Sequence, residues 1–384
     1  MQEKKNELTK RDFLKLGGLG GMALFGLSSP PSAFSDMQKK SKINTEKNSN
    51  NKIDVHAHFH PEEFFKEIEK RLGKSEHALG WNLLTMKRDT FMQTYSIEER
   101  LDWMSKFGID KSVFSFPTIS MFMDEIAAPK KRNEMSQFIN DFFAKTHQKY
   151  PNRTLFFADV PLGTDPDFSI KELIRAITQL GLHGVAIQTN NAGKLPHDRN
   201  FDDFFSEADS LDVPVFMHPS KSPWFENAYS GLKKYMFEPV VGFPLDATIT
   251  VAYMIIDGFF ERHKNSKIIL THLGSTLPYM YERLNMWIRN PYLPPTISGR
   301  ANLTKTPLEY LKKFYYDTAI GNPEALQLCE SILDENKILF GTDHPFIESS
   351  ERVTIEYINK TEITKRQVEK IYFNNAKTLF KLKA

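Results

Sequence analysis

Cysteine is nearly missing: Cys329 is the only one in 384 residues, so no internal disulfide can brace the fold. A charge of one sign is missing too. The chain has 50 Lys and Arg against 48 Asp and Glu, a formal +2. No long basic run follows the N-terminal segment, so nucleic acid is not an expected partner. The apolar stretch at residues 16–27 (LGGLGGMALFGL) is too short to span a bilayer comfortably. No cysteine follows it, which sets aside a bacterial lipid anchor. No Gly-rich phosphate turn follows an early strand, which argues against a doubly wound nucleotide-binding sheet.

What is present at the N-terminus reads as an address. Lys4, Lys5, Lys10 and Arg11 make a positive segment before the short apolar stretch, and Ala33-Phe34-Ser35 has small residues at peptidase spacing. Thr9-Lys10-Arg11-Asp12-Phe13-Leu14-Lys15 resembles a twin-arginine export motif with Lys in place of the first Arg. The expectation is a signal peptide at 1–35, a polar, aperiodic linker at 36–51 and a mature domain at 52–384. The protein would then be periplasmic or otherwise exported, with the twin-arginine machinery as its partner in transit. An uncleaved anchor or a disordered tail is the alternative reading.

From residue 52 onward, short apolar runs alternate with amphipathic segments. Strands are expected at 53–57, 112–116, 155–160, 184–188, 213–217, 267–271, 314–317 and 337–340. Eight such runs separated by helical patterns predict a parallel sheet closed into a (β/α)8 barrel. The intervals 61–95 and 219–245 are longer than one helix requires, and are expected to be rim insertions after strands 1 and 5 that wall a pocket.

The chemistry lies at the ends of those runs. In Asp54-Val55-His56-Ala57-His58 the two imidazoles share one side of a strand. His218 ends the fifth run, His272 the sixth and Asp343 the eighth. In a barrel all five converge on the C-terminal rim, where active sites are built. Neutral imidazole and carboxylate suit a divalent first-row ion, zinc above all. Alone, each of these residues would read as a hydrogen-bonded strand end; five together do not.

The segments IDVHAHFHP, VFMHP, KIILTHLGSTLPYMYERL and FYYDTAIGNPEALQLCESILDENKILFGTDHPF resemble the amidohydrolase superfamily. The nearest branch is the amidohydrolase-related one that includes aminocarboxymuconate-semialdehyde, methylsalicylate and resorcylate decarboxylases. The resemblance covers roughly residues 52–384. It implies one divalent metal on His56, His58, His218 and Asp343, with His272 as the acid/base that handles a metal-bound water. Asp343 could also serve as a base. Two departures alter the pocket floor: the usual Gly-Gly after this His is Gly274-Ser275, and the usual Tyr after the Asp is His344.

For substrate contacts, Arg88 is the candidate for a carboxylate, Trp224 for a ring and His344 for the pocket wall. His60 is a weaker candidate. His183 reads as structural, and His77, His147, His197 and His263 as solvated. The function expected is nonoxidative decarboxylation of an aromatic or enoic carboxylate. The alternative is a metal-dependent hydrolase of a lactone, ester or amide, and a catalytically silent binding protein is the third reading. The expected partners are a small carboxylate and, as an oligomer, a second copy in a homodimer.

Overall fold

The computed structural model describes residues 51–59, 61, 63–64, 66–67, 70, 96–116, 127–191, 193–220, 237–346 and 349–383. The account concerns the unit Ser49–Ala384. The signal and linker segments, most of both long intervals, and Arg88, Trp224, His60 and His77 lie outside the described residues.

The strands are β1 Ile53–His58, β2 Lys111–Ser115, β3 Thr154–Phe156, β4 Ala158–Asp159, β5 Val185–Gln188, β6 Pro214–His218, β7 Lys267–Leu270, β8 Tyr315–Asp317 and β9 Ile338–Leu339. Every pairing is parallel, in the orders β1-β2-β3 and β4-β5-β6-β7-β8-β9. β3 and β4 are halves of one strand. Phe157 N–H donates back to Phe114 O at 2.9 Å, while Ala158 N–H donates forward to Gly184 O at 2.8 Å. The ends join through Val55 N–H to Phe340 O at 2.8 Å and a parallel bridge between Ala57 and His344. The result is a closed α/β barrel of eight strands, on the spans the apolar runs foretold.

The main outer helices are α1 Ile97–Lys106, α2 Pro129–Lys149, α3 Pro166–Thr178, α4 Asp202–Ser210, α5 Phe243–Ile256, α6 Leu277–Ile288, α7 Pro323–Ile332 and α8 Ser350–Lys360. Their starts are written locally. Ser96 and Glu99 form a capping box on α1, and Asp165 and Asn322 cap α3 and α7 with proline at the first helical turn. Two apolar cores follow. The larger lies between strands and helices; the smaller fills the barrel, with Ile53, Val55, Val113, Phe157, Phe216, Ile269 and Leu339. Leu379 and Phe380, near the C-terminus, join the smaller core.

Alternation assigns faces, and in β1 it breaks. Ile53 and Val55 belong to the barrel interior, yet Ala57 belongs to the outer core. The β1–β2 register shifts between Asp54 and Ala57, a bulge that turns the parity by one residue. Strict alternation would send His56 and His58 toward the helices. The bulge turns both inward.

Candidate metal centre

The ligand atoms of His56, His58, His218 and Asp343 all lie within 4.8 Å of one another, and all four residues are buried. Each histidine is oriented by the partner of its Nδ1. That of His56 donates to Asp317 Oδ2 at 2.8 Å, and that of His218 to Pro219 O at 2.7 Å. The carboxylate and the carbonyl only accept, so both Nδ1 atoms carry the proton and both Nε2 atoms offer a lone pair. His58 Nδ1 meets Ser115 Oγ at 3.1 Å, and that hydroxyl reaches Ala57 O at 3.4 Å. A chain in which His58 donates to Ser115 and Ser115 to Ala57 leaves His58 Nε2 as a lone pair as well.

These nitrogens face a carboxylate. Nε2 of His56 and of His58 lie 3.1 and 3.0 Å from Asp343 Oδ1. His56 Nε2 is buried without a hydrogen-bond partner. A buried ring nitrogen left unbonded beside a carboxylate is costly unless a cation binds both, so the donor set fits a divalent ion. The electrostatics agree. Burial disfavours charging His56, but the Asp317 and Asp343 carboxylates outweigh it and lift its pKa to about 10. The negative charge that would hold a proton there also holds a metal. Burial lowers His58, and burial with the neighbouring His58 and His56 holds His218 well below its ordinary value. Burial pushes Asp343 up, yet His56 and His58 prevail and keep it well below the usual carboxylate range.

His272 stands beside the cluster rather than in it. Its Nε2 lies 3.8 Å from Asp343 Oδ2 and has no hydrogen-bond partner. Its side chain is 17% exposed against 7% for Asp343 and 0% for His56, the most open of the three. Burial lowers its pKa, with Asp317 and Asp343 pulling the other way. The backbone here is unusual: His272, Leu273, Gly274 and Ser275 have φ of 56°, 54°, 74° and 60°. Gly274 has no alternative, because a Cβ there would sit 2.6 Å from the Tyr316 ring. Gly341 is needed for space; a Cβ would lie 2.8 Å from Asp317 Cβ and 2.9 Å from His56 Cβ.

Asp317 is the residue that sequence reasoning missed. It accepts from His56 Nδ1 and, through Oδ1, from the backbone N–H of His272 at 3.0 Å, so one carboxylate orients a ligand and the neighbouring imidazole. Its signal was visible: an acid closing an apolar strand, like Asp343. Ser115, at the end of β2, was missed for the same reason. The Phe346 ring lies tilted against His58, with centroids 4.8 Å apart, and borders the site.

Several histidines fall elsewhere than expected. His344 is buried with Nδ1 on Glu351 at 2.9 Å, so that nitrogen supports the ligand loop instead of serving a pocket wall. His263 is not solvated but buried, on Asp202 at 2.9 Å, because its ring packs between Phe205 and Phe259. His147 donates to Thr154 O at 2.7 Å, and His197 stacks on Tyr253. His183 is structural as read, its Nδ1 accepting from Phe156 N–H.

A closed barrel with three imidazoles and a carboxylate at one end of its strands defines a metal-dependent enzyme of the α/β-barrel class. The chain belongs to the amidohydrolase family (Amidohydro_2), whose pattern it matches over residues 53–382. It is 30% identical over 302 residues to a gamma-resorcylate decarboxylase of Rhizobium sp. (strain MTP-10005), covering 74% of this chain and 87% of that one. Against 2-amino-3-carboxymuconate-6-semialdehyde decarboxylase of Dictyostelium discoideum the identity is 26% over 305 residues, 77% of this chain and 82% of the relative. Among solved structures, dihydroxybenzoic acid decarboxylase from Polaromonas sp. JS666, with bound manganese and the inhibitor 2-nitroresorcinol, superposes with a TM-score of 0.71. The identity there is 25%, over 87% of this chain and 98% of that one.

Proposed function

We propose that the protein is a nonoxidative decarboxylase of an aromatic carboxylate. The observation that carries this reading is His272 Nε2, unbonded and 3.8 Å from Asp343 at the edge of the four-ligand cluster, in a chain whose relatives are decarboxylases. When bound by His56, His58, His218 and Asp343, a divalent ion would supply Lewis acidity toward substrate oxygen. The chain's own groups do the rest. Decarboxylation breaks the ring–carboxylate bond, leaves its electron pair on the ring carbon and releases carbon dioxide, so that carbon must gain one proton. His272 is the group placed to move protons: burial favours its neutral form, which can take a proton from water and pass it to the ring carbon. Asp317 holds it in place through its backbone. Zinc suits the three imidazoles, whereas the Polaromonas enzyme holds manganese; metal analysis of the purified protein distinguishes them.

The test is carbon dioxide release from a panel of hydroxylated benzoates and enoic carboxylates by metal-replete enzyme. His272→Ala should keep its metal while losing turnover by ~10²–10⁴-fold. Metal lost together with activity makes His272 a ligand. Cleavage of a lactone, ester or amide with no carbon dioxide from any acid makes the protein a hydrolase.

The intervals 61–95 and 219–245, with Arg88 for the carboxylate and Trp224 for the ring, belong to this reading as the pocket walls. So does export through the twin-arginine route, supported by the motif at 9–15. Arg11→Ala should abolish appearance in the periplasmic fraction, and normal export of the variant would refute that route. The barrel is proposed to work as a homodimer, supported by the exposed Tyr279, Met286 and Trp287 on α6.

A further inference from the structure

The ligand Asp343 has φ of 59°, a left-handed backbone that a residue with a side chain keeps only when its surroundings enforce it. Both of its neighbours are tied down by buried carboxylates. Thr342 donates through N–H to Asp54 Oδ1 at 3.1 Å and through Oγ1 to Asp54 Oδ2 at 2.7 Å. His344 Nδ1 donates to Glu351 Oε1 at 2.9 Å. Asp54 also accepts from the N–H of His56, a second ligand, at 3.2 Å.

Two buried carboxylates would repel each other and leave the fold unstable without a shared cation. Arg100, from α1, supplies it. Its Nη1 donates to Glu351 Oε1 at 2.6 Å and its Nη2 lies 3.5 Å from Asp54 Oδ2. Arg100 is 1% exposed, and Asp54 and Glu351 are 0%. Trp103, one turn along α1, adds a donor to the same Glu351 oxygen at 3.0 Å. A planar guanidinium reaches two carboxylates at once, which an ammonium cannot do in the same geometry.

We propose that Arg100 is a positioning residue for the metal centre: by bridging Asp54 and Glu351 it fixes the residues on either side of Asp343, and so the angle at which that carboxylate meets the ion. This rests on the metal-centre reading above. It assigns a task to a helix that contributes no ligand, and it explains why a charged triad is buried where apolar packing would otherwise serve.

The experiment is manganese binding to the purified full chain, followed by electron paramagnetic resonance well below the melting temperature. The parent should bind about one ion; if it binds none at the four ligands, the metal-centre reading itself fails. Given parent binding, Arg100→Met should weaken manganese affinity by ~10–100-fold, the range for losing an outer partner of a ligand. The bound-ion spectrum should broaden and the thermal stabilisation by metal should shrink. Arg100→Lys should recover part of the affinity. A purely structural Arg100 predicts instead a lower melting temperature with parent affinity and parent spectrum. Should Arg100→Met fail to fold, Glu351→Gln, which preserves side-chain shape, carries the same comparison. Parent-like manganese binding in whichever of these variants folds overturns the proposal.

Discussion

Ser275 carries a local conflict between a side chain and its backbone. Its φ of 60° and ψ of −122° fall in a region that glycine occupies freely. The resemblance leads one to expect glycine at this position, and the left-handed backbone is one that favours glycine. Ser275→Gly is therefore expected to stabilise the protein by about 1–3 kcal/mol, the cost of such a conformation for a residue with a Cβ. The measurement is the shift in denaturation midpoint at unchanged slope; no gain, or a loss, would show that the serine is not strained. The second departure, His344, is the other half of the residue story. Here its ring Nδ1 ties the ligand loop to α8 by donating to Glu351 at 2.9 Å.

Among the elements, β5 and its approach carry the pH response that is easiest to isolate. His183, just before β5, is half-buried. Its Nδ1 accepts from Phe156 N–H at 3.3 Å, and the His147 ring lies 4.6 Å away. Burial first, and His147 second, lower its pKa from 6.5 to about 3. In that interval the unfolded chain binds the proton and the folded one does not. The contribution to stability is thus complete above pH 6.5 and is lost as pH falls toward 3, at about 1.4 kcal/mol per pH unit. His183→Asn, which keeps an acceptor for Phe156, should flatten the acid limb of stability against pH measured by chemical denaturation. An unchanged limb would place the acid sensitivity in other groups. The same element shows how far sequence carried: the strand spans and the structural role of His183 follow from short-range patterns. His263 and His147 did not, since their partners Asp202 and Thr154 say nothing until helices pack on strands.

At the scale of the whole molecule, α6 is amphipathic in the wrong sense for a free surface. Leu277, Pro278 and Ile288 are buried, while Tyr279, Met286 and Trp287 are 83%, 69% and 56% exposed. Beyond its end Tyr292 is 93% and Ile297 73% exposed. Positions 279, 283, 286 and 287 share one helical face. Aromatic residues can bury ~150–250 Å² each, so Tyr279, Trp287 and Tyr292, with Met286 and Ile297 beside them, supply most of the ~800 Å² per partner that a stable interface needs. Two copies of α6 related by a twofold axis near Arg283 would set Tyr279 against Trp287 and Met280 against Met286, as an isologous contact requires. Sedimentation velocity should find a dimer at micromolar concentration, converted to monomer in Tyr279→Ser/Trp287→Ser with the metal retained. A monomeric parent would sink this arrangement.

Sequence alone determined the eight strand positions, the barrel class and the cluster of His56, His58, His218 and Asp343, because short apolar runs and ligand-type residues at their ends are local properties. It also identified His272 as a group apart, through resemblance. Only the tertiary structure decided which way the first two histidines point: a one-residue bulge in β1, set by pairing with β2, reverses the face that simple alternation assigns. Only the structure could show Asp317 orienting His56 and His272 together, or Arg100 tying Asp54 to Glu351 around Asp343. Those partners stand 261 and 251 residues apart in the chain, and no periodicity links residues at that separation; barrel closure brings them within hydrogen-bond reach.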